Sequence, residues 1–288
     1  MSSRVAVEVT VEAQPADVFA AWTDNDKLQQ WFAEYADVSV DEGRFNFWGK
    51  HTVGNPSSEA ANHELRDVQQ GKSLAFGWHL HGRDTEVSIT LQPHDRGTHI
   101  VVHHDGVAAW EAGQPALSDF WTAALENLRA LLEGGAVALR PDFSGANGST
   151  VELSTEIAAP AASVYQGLLD PEQLTRYFPD NADVDAAVGG AIDFHWGNGV
   201  GPRKILDLDP ERKIAYSWDD HGRQDTVVTW ELEESEGKTR LLLVHSGFAE
   251  EDPGYWMGWI AVLNALKTML EGGDGWQRVR VVHNDVEI

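Results

Sequence analysis

The chain repeats itself, and that constrains its fold more than any other feature. Val18-Phe19 is answered by Val164-Tyr165, Leu28 by Leu174 and Trp31-Phe32 by Tyr177-Phe178, each 146 residues on. Further along, Phe47-Trp48-Gly49 matches Phe194-His195-Trp196-Gly197 through one insertion, and Ala75-Phe76-Gly77-Trp78 matches Ala215-Tyr216-Ser217-Trp218. His81-Gly82-Arg83 returns as His221-Gly222-Arg223, His104-Asp105-Gly106 as His245-Ser246-Gly247, and Leu132-Glu133-Gly134-Gly135 as Leu270-Glu271-Gly272-Gly273. Ordered matches at this spacing mean one folding unit present twice, and 288 residues so divided give two cores of ordinary domain size. The expected boundaries are a first domain over 1–135, a linker over 136–149 rich in Gly, Ser, Pro and Asn, a second domain over 150–275 and a tail over 276–288.

Each copy opens with alternating apolar residues (Val5, Val7, Val9, Val11; then Val151, Leu153, Thr155, Ile157), the period of a half-buried strand. Two short helices are expected next. Pro160 fits the first turn of one, and Asp170-Pro171-Glu172 supplies an N-cap, a first-turn proline and an early carboxylate for the other; Pro15 and Asp24 serve the first copy similarly. Runs rich in β-branched and aromatic residues over 43–48, 73–79, 85–92 and 98–104 then predict an antiparallel meander, with glycine-containing turns between them. The last element changes period. Leu117, Phe120, Trp121, Ala124, Leu125, Leu128, Leu131 and Leu132 line one face of a helix, as do Trp256, Trp259, Leu263, Leu266, Met269 and Leu270 in the second copy.

This order of elements resembles the helix-grip, START-like superfamily (SRPBCC), which implies an α+β fold whose sheet wraps a long C-terminal helix around a cavity. Local signals narrow it: the helix ends Trp31-Phe32 and Tyr177-Phe178, the strand 189–194, Tyr216-Ser217-Trp218, the run 239–248, and Gly258-Trp259 with Leu263 and Leu266. They resemble the domain family named for the activator of the heat-shock protein 90 ATPase, strongly in the second copy and more weakly in the first. The resemblance implies a lined pocket and offers a chaperone as a partner. It brings no catalytic motif.

Composition excludes several classes of function. Forty-six Asp and Glu against 21 Lys and Arg give a formal charge of -25, which repels phosphate backbones and anionic lipid, so neither nucleic acid nor membrane is an expected partner. No apolar run approaches the roughly 20 residues of a membrane span, the first residues lack the apolar block of a secretory signal, and a cytoplasmic location is the expectation. With no cysteine there are no disulfides or thiolate sites. Neither a phosphate-binding glycine loop nor a nucleophile elbow is present, and no cofactor or metal is expected. A cluster of His79, His81 and His103 lacks counterparts at 219 and 244, so surface histidines are the preferred reading.

The candidate site rests on rings and strand parity. Twelve tryptophans are a heavy load, and three pairs recur near the expected cavity: Trp48 with Trp196, Trp78 with Trp218, Trp121 with Trp259. On one face of a strand lie Thr98, Ile100, Val102 and His104, and in the second copy Thr239, Leu241, Leu243 and His245. Each histidine therefore points inward, as a pocket group or as a structural residue bonded to a loop carbonyl. Trp230 stands where the first copy has Ile89, so Trp218, Trp230, His245 and Trp259 are expected to converge, and the second domain to hold the better site. Between Gly49 and Leu65 lie 15 residues against 7 between Gly197 and Ile205, a longer loop placed to narrow the first domain's mouth or to vary freely. The leading functional expectation is binding of a small apolar or aromatic molecule without catalysis. Alternatives are a chaperone-linked or stress-response interaction protein, and a polyketide-cyclase or hydrolase-type enzyme using His104 or His245 as acid or base.

Overall fold

The computed structural model describes residues 3–61, 63–107, 116–145, 148–196, 201–218, 226–249 and 254–282. The chain forms two compact units, Met1–Ala146 with Val279–Ile288, and Asn147–Arg278. In the first, β1 (Ser3–Val11) leads into α1 (Pro15–Thr23) and α2 (Asn25–Trp31), followed by the hairpin β2 (Tyr35–Ser39) and β3 (Arg44–Trp48). The meander β4 (Leu65–Gln69), β5 (Ser73–Leu80), β6 (Arg83–His94) and β7 (Gly97–Val107) precedes the long helix α3 (Leu117–Leu132). The second unit repeats the order: β8 (Thr150–Ile157), α4 (Ala161–Leu169), α5 (Pro171–Tyr177), β9 (Asp183–Val184), β10 (Ala191–Asp193), β11 (Arg203–Asp209), β12 (Lys213–Trp218), β13 (Thr226–Ser235), β14 (Lys238–Ser246) and α6 (Tyr255–Gly272). A short strand, β15 (Arg280–Val281), ends the described chain. This is the expected α+β helix-grip architecture, twice.

The two large sheets are antiparallel, ordered β15-β1-β7-β6-β5-β4 and β8-β14-β13-β12-β11-β10-β9, and β2-β3 forms a separate two-stranded sheet. The registers of the large sheets coincide. Val5 faces His104 across β1 and β7 as Val151 faces His245 across β8 and β14, and a bulge interrupts both β4–β5 after Leu65 and β11–β12 after Ile205. Parity is as the pattern demands: Thr98, Ile100, Val102 and His104, like Thr239, Leu241, Leu243 and His245, are fully buried. The β5–β6 hairpin turns on His81 and Gly82, with φ of 49° and 75°, the two left-handed residues of a tight two-residue loop. Its counterpart His221-Gly222-Arg223 lies outside the described residues.

Equivalent polar contacts tie the same elements together in both units. Asp24 and Asp170 each accept from the backbone N–H three residues on, capping α2 and α5. Pro160 occupies the N-cap of α4 rather than its first turn. Trp31 Nε1 donates to the Ala21 carbonyl at 3.0 Å, and Tyr177, its counterpart, donates its hydroxyl to the Gly167 carbonyl at 3.1 Å. Glu133 and Glu271, near the end of each long helix, accept from the backbone N–H groups of Glu12 and Ala158.

The repeat also runs past the boundaries read from the sequence. Arg140 donates to the Ala33 carbonyl, and Arg278, placed identically after the Leu-Glu-Gly-Gly run, donates to the Pro179 carbonyl. Part of the stretch expected as a linker thus packs on the first unit, where Pro141 O bonds His51 Nδ1 at 2.7 Å and Phe143 N reaches Lys50 O. The described part of the expected tail, 276–282, is likewise engaged. Trp276 is buried and donates to Thr268 Oγ1, and β15 pairs with β1, Val281 opposite Val7 and Arg280 opposite Glu8. No helix among the described residues is long and apolar enough to cross a membrane.

The Gly189-Gly190 pair has a local steric cause. Gly189 has a φ of 88°, and a Cβ on Gly190 would stand 2.2 Å from the Asp185 carbonyl oxygen, so the turn into β10 closes only without side chains. Gly190→Ala is expected to destabilise the second unit by about 1–3 kcal/mol, because backbone must move to admit the methyl. Chemical denaturation measures this, and an unchanged midpoint would contradict the close approach.

Candidate functional site

The site is built around one buried histidine per domain. Strand parity puts His104 on the inner face of β7, opposite Val87 on β6, while α3 crosses above it. Trp121, on the first turns of α3, donates its indole N–H to His104 Nδ1 at 3.2 Å, and Thr85 Oγ1 lies 2.8 Å from Nε2 and 2.5 Å from the Trp78 carbonyl. The second domain reproduces every link. Trp259 donates to His245 Nδ1 at 3.0 Å, and Thr226 Oγ1 lies 2.8 Å from both His245 Nε2 and the Trp218 carbonyl.

These partners settle the protons. An indole only donates, so Nδ1 is the acceptor and Nε2 carries the hydrogen; it donates to the threonine oxygen, whose own hydrogen goes to the tryptophan carbonyl. Both ring nitrogens are therefore spent inside the protein, and the imidazole is neutral. Burial pushes His104 down from 6.5 to about 4 and His245 to about 3. A second proton would face an indole N–H instead of a lone pair. Such a histidine has no proton to exchange near neutral pH, and its partners are side chains and a strand carbonyl rather than the loop carbonyl that the sequence suggested.

Aromatic rings surround both histidines. In the first domain Trp78 stacks on His104 with centroids 5.5 Å apart, and Phe32, Phe47, Phe120 and Trp121 close round it within 6.5 Å. Every one of these rings is buried. Trp48 is not among them: it stacks on the exposed Tyr35 on the outer side of the β2–β3 hairpin, 5.8 Å between centroids. Trp48 and Trp196 therefore do not take equivalent places: Phe47 and Phe194 match as the sequence suggests, and the residue inserted after Phe194 sets Trp196 against Trp218, 5.5 Å between centroids. His195 is that residue, with a φ of 49°, held by Asp183 2.7 Å from its Nε2.

In the second domain Trp218, His245 and Trp259 do converge, with centroid separations of 5.0–5.8 Å, and Trp230 meets Trp259 edge-on at 5.6 Å. Trp230 donates to the buried Tyr216 hydroxyl at 3.1 Å, so its indole is also spent. Phe178, Phe194 and Trp196 extend the cluster outward, and Trp196 is 38% exposed.

Two residues at the centre of the clusters escaped the sequence reading. His63, from the longer loop, stacks on Phe47 at 3.8 Å and lies 5.8 Å from Trp78; its Nδ1 is buried without a partner among the described residues, and burial pushes it down to about 3. At the same place in the second domain, two residues before Ile205 as His63 is before Leu65, stands Arg203. Its guanidinium carbon lies 4.5 Å from the Trp218 ring centre, 4.7 Å from Trp196 and 5.2 Å from Phe194, and the residue is only 3% exposed. The unequal loops hid this equivalence. The longer loop does not stand over the mouth but folds inward, burying Thr52, Val53, Ala61 and His63. Among the described residues no group of three acidic or imidazole side chains is arranged to hold a metal ion, and His79 pairs with Asp84 at the surface.

Two measurements test the buried relay. Thr226→Val leaves the His245 Nε2 hydrogen without an acceptor and is expected to cost about 1–3 kcal/mol, read by denaturant unfolding; a smaller loss means the bond is not made. The second concerns pH. Because folding depresses both histidines below 6.5, the unfolded chain binds the extra proton first. Their stabilisation is complete above that value and is lost as pH falls toward 4 and 3, by up to about 1.4 kcal/mol per pH unit for each histidine. His245→Gln removes one such titration, so the stability advantage of the wild type over this variant should shrink between pH 7 and pH 4. An advantage independent of pH would refute the neutral relay.

The family comparison agrees with this architecture. The family model described as Activator of Hsp90 ATPase homolog 1-like protein matches residues 12–133 and 158–271. Among solved structures, the Aha1 dimer from Colwellia psychrerythraea is 23% identical over 44% of this chain and 98% of its own, with a TM-score of 0.40. A protein from Chromobacterium violaceum is 27% identical over 43% of this chain and 97% of its own, with a TM-score of 0.36. DynU16, from the dynemicin biosynthetic locus, is 21% identical over 92% of this chain and 96% of its own, at a TM-score of 0.34. No curated protein matches the chain. With both repeats matched by one model, the chain belongs to the family of Activator of Hsp90 ATPase homolog 1-like proteins, as a tandem of two START-like helix-grip domains.

Proposed function

We propose that the chain is a binding protein whose second domain takes up a small apolar or aromatic molecule between its sheet and its long helix. The observation that carries this reading is the difference between the two aromatic clusters. Around His104 the rings of Phe32, Phe47, Trp78, Phe120 and Trp121 are buried, whereas around His245 the cluster continues outward through the half-buried Phe178 to Trp196, more than a third exposed, in contact with Trp218. Rings that open to solvent at one end and rest on a packed, hydrogen-bonded base at the other suit a flat ligand. Trp196, Trp218 and Trp259 provide the contact surface. Trp230 and His245, whose polar atoms are spent, keep that surface in place.

The polyketide-cyclase or hydrolase reading loses its proposed acid or base, since neither relay histidine has a free nitrogen. A chaperone partner rests on the family description alone; stimulation of a chaperone ATPase by the purified chain is its test. For the binding reading, intrinsic tryptophan emission of the full chain is titrated with a panel of neutral and charged aromatic and fatty molecules. Saturable quenching is expected, with Trp196→Ala weakening it by about tenfold, equivalent to roughly 1.4 kcal/mol, and Trp48→Ala leaving it unchanged. If no compound quenches saturably, or if Trp48→Ala has the larger effect, the reading is wrong.

A further inference from the structure

The first strand of each domain lies in a different setting. In the first unit β1 is not an edge, because β15 adds to it: Val281 lies opposite Val7 and Arg280 opposite Glu8. Val282 donates its N–H to the Ala6 carbonyl at 2.8 Å, and Arg280 Nη1 stands 3.8 Å from Glu8 Oε1. Alternate residues of a strand turn their backbone groups to opposite sides, so Ala6 and Glu8 serve β15 while Val7 serves β7. The counterpart β8 is the outermost strand of its sheet. Since Val151 faces His245 as Val5 faces His104, Glu152, Leu153 and Ser154 take the places of Ala6, Val7 and Glu8. No strand among the described residues covers them.

The open stretch has a defined length. At its far end the long helix closes the edge, where Lys267 Nζ donates to the Glu156 carbonyl at 2.9 Å and Glu271 accepts from Ala158 N at 2.8 Å. What remains is the outward backbone of Glu152 and Ser154, beside a Leu153 that is half-buried where Val7 is fully buried. That is the length of edge β15 occupies on β1. Outward backbone groups next to an uncovered apolar side chain are a template for a further strand. Charge then selects the strand. Glu152, Ser154 and Glu156 share the outer face, Glu152 exposed and Glu156 paired with Lys238 at 2.9 Å. A residue opposite Ser154 on that face has both glutamates as diagonal neighbours, about 7 Å away. A second copy of this chain is a poor occupant: two molecules of formal charge -25 repel, and β8 paired with itself about Ser154 sets Glu152 against Glu156. We infer that the edge of β8 binds an extended segment of a partner protein, added antiparallel as β15 is to β1. The segment carries an aliphatic residue opposite Leu153 and an arginine or lysine opposite Ser154.

The chain supplies the probe sequence, Gln277-Arg278-Val279-Arg280-Val281-Val282-His283, made as a fluorescein-labelled peptide and titrated into the full chain by anisotropy. Saturable binding is expected. A Val282→Pro peptide has the same charge but lacks the N–H aimed at the Glu152 carbonyl, and should bind about tenfold more weakly. In the protein, Ser154→Pro removes an outward N–H without touching the ladder to β14, and should weaken the original peptide by about tenfold; Glu152→Lys should weaken it by about fivefold. Circular dichroism and the unfolding midpoint establish that each variant is folded; if Ser154→Pro is not, Glu152→Lys and the proline peptide carry the test. Absence of saturable binding overturns the inference. So does equal binding of the proline peptide, which means that charge alone attracts it, and so does binding that the β8 variants leave unchanged, which means exchange with β15 on β1.

Discussion

Each domain depends on a three-residue hydrogen-bond chain that fastens its long helix to its sheet. Trp121 and Trp259 come from the helix, His104 and His245 from the strand that ends beneath it, Thr85 and Thr226 from the neighbouring strand. Every polar atom in the chain has a partner, so its burial costs little, while removal of any member leaves a donor or acceptor stranded in an aromatic interior. The geometry also dictates the protonation state. A histidine that must accept from an indole and donate to a threonine remains neutral, which makes it a fastener and removes it from acid–base chemistry.

Around this shared base the two domains diverge. The first fills the space with rings and with His63, brought in by a loop that folds back on itself. The second substitutes Arg203, adds Trp230 beneath the helix tryptophan, and turns Trp196 toward the cluster through the left-handed backbone at His195. Dispersion and cation–π contacts replace the shape fit of an imidazole on phenylalanine. One fold thus holds an imidazole against its rings in one copy and a guanidinium in the other. A duplicated domain can keep its architecture in both copies because the changes around the relay leave its three hydrogen-bonding residues in place, and because the caps lie elsewhere, at the ends of α2 and α5 and of the long helices.

The ends of the repeat illustrate how a compositional signal misleads. Residues 136–149 are rich in small and turn-forming types, the usual mark of a linker, but Arg140 is the counterpart of Arg278 and both guanidiniums hold a carbonyl just beyond the second short helix. The signal was present in the equal spacing of the two arginines after Leu-Glu-Gly-Gly. Composition averages over a window, and a single hydrogen-bonding side chain disappears in the average.

By itself the sequence determined the duplication, the order of elements, the inward face of the strands bearing His104 and His245, and the long helices, because periodicity and capping are properties of neighbouring residues. It also marked Trp78, Trp121, Trp218, Trp230 and Trp259 as interior rings. Only the tertiary structure decided that Thr85 and Thr226 complete the histidine relay, that Trp48 faces outward, and that His63 and Arg203 are counterparts. Those facts depend on cross-strand register, on where an inserted residue turns the backbone, and on the paths of two loops of unequal length. A hydrogen bond or a ring contact requires placement to within a fraction of an ångström, and elements distant in the chain acquire that placement only when the sheet closes on its helix.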